Sequence, residues 1–266
     1  FRGADIQNIL DFEKDYREAK VVKLEQNYRS TQNILDAADA VIEKNHNRKP
    51  KKMWTDAEAG DLIEVWHCES ETDEARKLAN EIETLRLKQG ASLKDIVVLY
   101  RTHAQSRVIE ESLLRYGMPY KVIGGVKFYA RREVKDLLAY LRVILNPNDT
   151  ESLLRVINVP LRGVGAGTVQ KLQAFALARS LALGEMMNHL EMVGELSDRS
   201  KNTLVAFWEK ITGWRQLSKT LVVSRLLADI TQVIGYQKYL EDGTEEGEMR
   251  WENILELASA ASSYGD

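Results

Sequence analysis

Tyr28 and Arg29 stand next to each other where a predicted strand meets a predicted helix, a place suited to binding a nucleotide. The β-branched run 20–24 predicts the strand, and apolar residues at helical spacing predict a helix over about 31–44. A guanidinium forks onto phosphate oxygens, and the positive end of a helix favours anions. The alternative is an ordinary corner between a strand and a helix, in which Arg29 pairs with a surface carboxylate.

A second candidate site is the sequence NVPLRGVGAGT at 158–168, named the glycine turn below. It lies between two apolar helices and has the Gly-apolar-Gly core of a helix-hairpin-helix turn. Gly163 and Gly165 allow backbone N–H groups to approach a ligand closely, and the next helix is predicted to begin at about Ala166 or Gly167. Such a turn suits a duplex phosphate without reading bases. The alternative is a glycine-rich turn that binds nothing.

A third candidate is the sequence VLYRTHAQSR at 98–107, named the Arg101 loop below. It follows the apolar run 96–100, which predicts a strand buried on both faces of a parallel sheet. Ligands bind at the carboxyl ends of strands in such sheets, so Arg101 and His103 are candidate ligand contacts. For Arg101 an ion pair that supports the loop is an equal alternative.

These sequences together resemble one family. LEQNYRSTQNIL at 24–35 resembles motif IV of the UvrD/Rep/PcrA-type superfamily 1 DNA helicases, and FRGAD at 1–5 resembles the end of motif III. The glycine turn resembles the GIG motif of domain 2B, with Val164 in place of the usual Ile. The Arg101 loop resembles motif IVa, with His103 where the family mostly has Asn.

The resemblance implies roles for individual residues. Tyr28 would stack on the adenine of ATP, and Arg29 would be an arginine finger that reaches the γ-phosphate. The cofactor would be ATP with Mg²⁺, whose ligands lie outside this chain. Single-stranded DNA would be contacted by Phe1, Arg2, Arg101 and His103. Duplex DNA at the junction would be contacted by Arg162, Gly163, Val164, Gly165, Gly167 and Thr168.

The sequence has no G-x-x-x-x-G-K-[ST] segment to hold the α- and β-phosphates of a nucleotide. The resemblance therefore predicts a fragment of an ATP-dependent 3′→5′ DNA helicase, whose further partner is the missing P-loop domain of the same protein. The isolated fragment is predicted to be inactive. The alternative function is a non-catalytic duplex-DNA-binding or regulatory module that uses the helix-hairpin-helix.

The elements that would position these residues predict two fold classes in succession. Predicted strands at 20–24, 62–68, 96–100 and 120–123 alternate with helices, which favours an α/β layer with a parallel sheet. The resemblance makes this a partial RecA-like sheet with flanking helices, over residues 1–127 together with the tail of motif III. Residues 128–266 have almost no strand signal and predict an all-α domain that contains the glycine turn.

Composition sets the remaining limits. The 266 residues are 44% hydrophobic and 29% charged, as in soluble globular proteins, and the net charge of −3 requires any DNA contact to come from local basic patches. A single cysteine, Cys68, excludes an intrachain disulfide, and four scattered histidines offer no metal-ligand spacing. No apolar run approaches the ~18 residues of a membrane span, so we expect a cytoplasmic protein without a membrane partner.

Overall fold

The computed structural model describes residues 11–12, 14–45 and 50–262. The chain divides into two compact units, residues 1–67 and residues 68–266. The family's domain boundary, predicted at residue 127, stays a prediction.

The predicted α/β class is wrong. In the described ranges no residue belongs to a β-strand, and the only pairing of strand type is an isolated parallel bridge between Gln26 and Trp54. The apolar run 96–100 shows why the pattern was misleading. Val97 and Leu99 are 74% and 86% exposed, although a strand within a parallel sheet would bury both. β-branched composition favours extended backbone, but a sheet also requires a neighbouring strand to complete the hydrogen-bond ladder.

The first unit contains helix α1, Gln32–Ile42, which follows the Tyr28–Arg29 corner. Leu35 is the one buried apolar side chain among the described residues of this unit. The Gln26–Trp54 bridge is closed by the Asn27 N–H, which donates to the Trp54 carbonyl oxygen at 2.8 Å. Among the described residues, this unit is thus held by one buried leucine and by backbone and side-chain hydrogen bonds such as those of Asn33 to the Gly60 and Asp61 carbonyl oxygens.

The second unit begins with helices α2, Glu71–Gln89, and α3, Ser106–Arg115. Ser70 caps α2 by accepting from the Asp73 N–H, and Gly90 ends it in the left-handed region with φ of 69°. The amphipathic spacing over 71–89 and the glycine at 90 predict a helix with these bounds from the sequence, and the structure agrees at both ends. A small apolar cluster centred on Ile82, Leu113 and Met118 joins the two helices.

The rest of the second unit is a helical bundle around one large core. Its helices are α4 Arg132–Leu145, α5 Thr150–Val156, α6 Ala166–Ala178, α7 Leu183–Met186, α8 Asp198–Leu217, α9 Val223–Val233, α10 Tyr236–Leu240 and α11 Glu245–Ser262. Short 3₁₀ helices occupy Leu93–Asp95, His103–Gln105, Phe128–Ala130 and Leu190–Met192. Fully buried side chains such as Tyr140, Leu153 and Ile211 fill the core, so the helices predicted after residue 128 are present. In the part of the chain that the structure describes, no helix is both long and apolar enough to cross a membrane.

Candidate functional site

The Tyr28–Arg29 corner is shaped by a side-chain turn. Oδ1 of Asn27 accepts hydrogen bonds from the N–H groups of Arg29 and Ser30, both at 2.8 Å. Tyr28 is 86% exposed, and its hydroxyl donates to Oε1 of Gln26 at 2.6 Å. Arg29 is exposed, and its guanidinium makes no hydrogen bond or ion pair with any residue that the structure describes. The corner therefore offers solvent an aromatic ring and a positive charge.

The N-terminus of α1 is not an open anion site. The N–H of Asn33 donates to the Ala59 carbonyl oxygen at 3.1 Å, and the N–H of Gln32 reaches the Glu58 carbonyl oxygen at 3.5 Å. Nδ2 of Asn33 donates to the Gly60 carbonyl oxygen at 2.8 Å. Because these amides are occupied by the loop 58–60, an anion at this corner would meet the charge of Arg29 rather than helix amides.

The exposed groups at this corner define the chemistry that it can do. The ring of Tyr28 can stack on another planar group, and the guanidinium of Arg29 can donate hydrogen bonds to an anion. Within the described ranges no group of three or more His, Cys, Asp or Glu side chains could hold a metal ion. Phe1 and Arg2, predicted to contact single-stranded DNA, lie outside the described residues.

The Arg101 loop is held by a glutamine. Oε1 of Gln105 accepts from the N–H groups of Arg101 at 2.9 Å and Thr102 at 3.0 Å. Arg101 is exposed, whereas His103 is half-buried with its ring edge-on to Tyr100, the centroids 6.2 Å apart. No sheet precedes this loop among the described residues, so its position is set by these local bonds and not by the end of a strand.

A buried arginine fixes the same loop from behind. Arg131 donates through Nη2 to the His103 carbonyl oxygen at 3.1 Å and to Oγ of Ser106 at 2.8 Å. Its Nη1 donates to Oδ1 of Asn253 at 2.6 Å, and Nδ2 of Asn253 donates to Oε1 of Glu133 at 2.7 Å. Burial lowers the pKa of the Arg131 guanidinium from its usual value. We call these five residues the Arg131 clasp; it ties the loop to α11.

The glycine turn connects α5 to α6. Val164, between the glycines, is only 3% exposed, while Gly163, Gly165 and Gly167 are exposed. Gly163 has φ of +81°, a conformation that side-chain-bearing residues rarely adopt. The N–H of Thr168 donates to the Gly165 carbonyl oxygen at 3.1 Å.

Arg162 is turned into the protein. Its Nη1 donates to the Val156 carbonyl oxygen at 2.8 Å, and its Nη2 donates to the Tyr140 hydroxyl. Its guanidinium carbon also lies 5.0 Å from the centroid of the Phe207 ring. The side chain predicted to contact DNA thus has both terminal nitrogens, Nη1 and Nη2, bonded inside the protein.

A family model for the UvrD-like helicase C-terminal domain matches residues 22–266. The chain belongs to this family. ATP-dependent DNA helicase PcrA of Staphylococcus epidermidis is 43% identical over 265 residues. The protein of the same name from Staphylococcus aureus is 44% identical over 265 residues. Each comparison covers 99% of this chain but 36% of the relative, so the chain spans about a third of the length of the relatives it matches.

In this member of the UvrD-like family, the sequence reasoning missed two asparagines that shape the candidate sites. Asn27 binds backbone N–H groups just after it, and Asn158 binds those of Arg162 and Val164. Asn27 accepts from N–H groups two and three residues on, a local side-chain turn that the sequence could have indicated. Asn158 accepts from N–H groups four and six residues on, and no such local pattern indicates it. The bond between Arg131 and Asn253 was also missed, because no local pattern links residues so far apart.

Proposed function

We propose that this chain forms part of an ATP-dependent 3′→5′ DNA helicase, to which it contributes Arg29 as arginine finger and Tyr28 as the adenine-stacking ring. The relatives are named as ATP-dependent DNA helicases, and they match the chain over nearly its whole length. ATP and its Mg²⁺ supply the chemistry of phosphate transfer. This chain's part is to stack on the base and to place a positive charge against developing negative charge.

The observation that carries the proposal is the state of Arg29. Structural arginines usually find carboxylates or carbonyl groups, as Arg131 and Arg162 do here. Arg29 has no such partner in the described part of the chain, although its backbone is held firmly by Asn27. A fixed backbone with an unengaged guanidinium is what a residue acting on a separate phosphate group requires.

The glycine turn supports a contact with duplex DNA. The backbone conformation of Gly163 requires glycine, but that of Gly165 and Gly167 does not. A Cβ atom at Gly165 or Gly167 would meet no described residue within 4 Å, so internal packing does not require glycine there either. Close approach of an external surface would require it, and a phosphate backbone is such a surface.

The Arg101 loop is proposed to contact single-stranded DNA through Arg101 and His103, together with Phe1 and Arg2. The loop's backbone is fixed by Gln105 and by the Arg131 clasp, which favours a contact surface of constant shape. An exposed arginine and a half-buried imidazole can bind phosphate and stack on a base.

The second candidate function is a duplex-binding or regulatory module without a role in ATP turnover. The engaged amides of α1 favour it, because they remove one of the groups expected of a nucleotide site. The two functions differ at Arg29, which only the helicase requires.

The test is reconstitution in trans. A P-loop ATPase domain of the same family would be added to this chain, and DNA-dependent ATP hydrolysis would be measured. We expect no steady hydrolysis by the 266-residue chain alone, activity on mixing, and a loss of roughly 10³-fold or more in Arg29→Ala, the range known for arginine fingers.

The matched control is Arg17→Ala, which removes another exposed arginine of the same unit. Equal rates for the two variants, or steady hydrolysis by the chain alone, would contradict the proposed role of Arg29. Arg29→Lys separates charge from shape, because lysine keeps the charge but cannot fork onto two oxygens.

A further inference from the structure

Asn158 binds the glycine turn from its inner side. Its Oδ1 accepts from the N–H of Arg162 at 2.8 Å and from the N–H of Val164 at 3.2 Å. One side-chain oxygen thus takes up two backbone donors on either side of Gly163. Without it, both amides would lose their partner, and the left-handed bend at Gly163 would lose its inner support.

Arg162 and Tyr140 complete this inner support. The Tyr140 hydroxyl donates to the Val159 carbonyl oxygen at 2.5 Å and accepts from Nη2 of Arg162. Nη1 of Arg162 reaches back to the Val156 carbonyl oxygen at the end of α5. The entry to the turn is therefore bonded to a fully buried tyrosine of the core.

The outer side of the turn has the opposite character. The N–H groups of Gly163, Gly165, Ala166 and Gly167 make no hydrogen bond to any residue within the described ranges. Gly165 occupies the N-cap position of α6, where a Ser, Asn or Asp would supply a capping oxygen, yet the side chain that could cap is missing. Exposed donors on a backbone fixed from inside form a preorganised anion-binding surface.

We propose that Asn158 is a positioning residue for duplex binding by the glycine turn, and that Arg162 acts with it by holding the turn and not by contacting phosphate. This inference rests on the proposed duplex contact. It attributes the affinity of the turn for duplex DNA to neutral backbone N–H groups, which Asn158 and Arg162 hold in position. Neutral donors bind phosphate without releasing its condensed counterions, whereas a lysine or arginine contact releases them.

The experiment measures anisotropy of a short labelled duplex, and of the matching single strand, titrated with the full chain at several salt concentrations. We expect Asn158→Ala to weaken duplex binding roughly tenfold. Without Asn158 the backbone N–H groups of the turn lose their fixed orientation, which removes one or two hydrogen bonds to phosphate. The slope of log affinity against log salt concentration should stay unchanged, and single-strand binding should stay unchanged. A purely structural role would weaken both kinds of binding together.

Arg162→Lys keeps the charge but loses the two-pronged geometry. A positioning role predicts a loss similar to that of Asn158→Ala, with the salt slope unchanged. A direct phosphate contact predicts near-normal affinity in Arg162→Lys, and a slope lower by about one in Arg162→Met. Near-normal affinity in Arg162→Lys together with a lower salt slope in Arg162→Met would overturn the role given to Arg162. Both measurements can be made even if Asn158→Ala fails to fold.

The matched control is Asn188→Ala. Oδ1 of Asn188 accepts from Nε1 of Trp208 at 2.7 Å, so this variant loses an equivalent bond elsewhere in the same unit. We expect a comparable fall in melting temperature and unaltered duplex binding. Duplex binding weakened equally in both asparagine variants would overturn the inference.

Gly165→Asp distinguishes the positioning role of Asn158 from the proposed duplex contact on which it rests. Aspartate fits the open space and suits an N-cap, so the fold should tolerate it, while its charge would repel a phosphate. Normal duplex binding in Gly165→Asp would refute the contact itself. Weakened binding in Gly165→Asp with normal binding in Asn158→Ala would refute only the positioning role.

Discussion

The Tyr28–Arg29 corner and the glycine turn are built alike: an asparagine and then an arginine precede the N-terminus of a helix. Their donors are used in opposite ways. At the corner the first amides of α1 are bonded to the loop 58–60, and the guanidinium of Arg29 has no partner among the described residues. At the glycine turn the guanidinium is bonded inward, and the outer amides have no acceptor within the described ranges.

The two regions thus offer different groups for binding an anion such as phosphate: a charged guanidinium at the corner and neutral backbone amides at the glycine turn. A free guanidinium carries a full charge on a movable side chain, which suits a charge that develops during a reaction. Fixed neutral amides suit a surface that must slide past many phosphates without holding one tightly. Under the proposed function, the same residue types would support a reactive contact at Arg29 and a contact that follows the duplex at the glycine turn.

The largest expected effect that separates the two regions is on stability. Arg162→Ala should lower the free energy of unfolding by about 2–3 kcal/mol, because it removes two hydrogen bonds from a charged group: one of the two that the Val156 carbonyl oxygen accepts, and the one that the Tyr140 hydroxyl accepts. Arg29→Ala should change it by less than ~0.5 kcal/mol, as usual for exposed sites. Urea denaturation followed by circular dichroism measures both, and similar losses in the two variants would break the comparison.

A smaller effect is expected from a substitution that exposes the first amides of α1, so that they resemble the outer amides of the glycine turn. Gly60 has φ of +77°, and a Cβ atom there would lie 2.4 Å from Oγ1 of Thr31. Gly60→Ala should therefore push the loop 58–60 off α1, and the amides of Gln32 and Asn33 should exchange with solvent roughly tenfold faster.

Gly90→Ala is the control for backbone strain alone, since Gly90 has φ of +69° and its Cβ atom would have no described neighbour within 4 Å. Hydrogen exchange measured by mass spectrometry checks both variants. Unchanged exchange at Gln32 and Asn33 in Gly60→Ala would show that the loop does not protect these amides.

The smallest effect concerns alkaline pH. Burial raises the pKa of Tyr140 to about 12, although the Arg162 guanidinium works in the opposite direction. A raised pKa contributes stability that is complete below the unfolded value of about 10 and is lost as pH rises through about 12. At pH ~11 the loss should be about 1 kcal/mol, and Tyr140→Phe should remove that share of the pH dependence. Urea denaturation between pH ~8 and ~11 tests this; equal slopes for the two proteins would contradict it.

Local signals in the sequence predicted the helices well. The helix predicted over 71–89 agrees with α2 at both ends, because its amphipathic spacing and the Gly90 stop are contained in the segment itself. The position of the Tyr28–Arg29 corner just before α1 was predicted correctly for the same reason. Local chemistry is enough wherever the partners lie within a few residues.

Features that depend on distant partners were predicted poorly. The parallel sheet was wrong because apolar composition at 96–100 says nothing about which segment lies beside it. The anion site at α1 was inferred from its dipole, but the loop 58–60 supplies acceptors from 26 or more residues away. The inward direction of Arg162 likewise depends on Tyr140, 22 residues earlier in the chain.

The Arg131 clasp places a condition on how the second unit is made. Arg131 and Asn253 are 122 residues apart in the chain, yet the buried guanidinium needs the asparagine as an acceptor. At a synthesis rate of about 5–20 residues per second, Asn253 follows Arg131 by roughly 6–25 seconds. During that interval the Arg101 loop can form its bonds to Gln105 but not the full clasp, so we expect its final shape to be reached only after α11 has been synthesised.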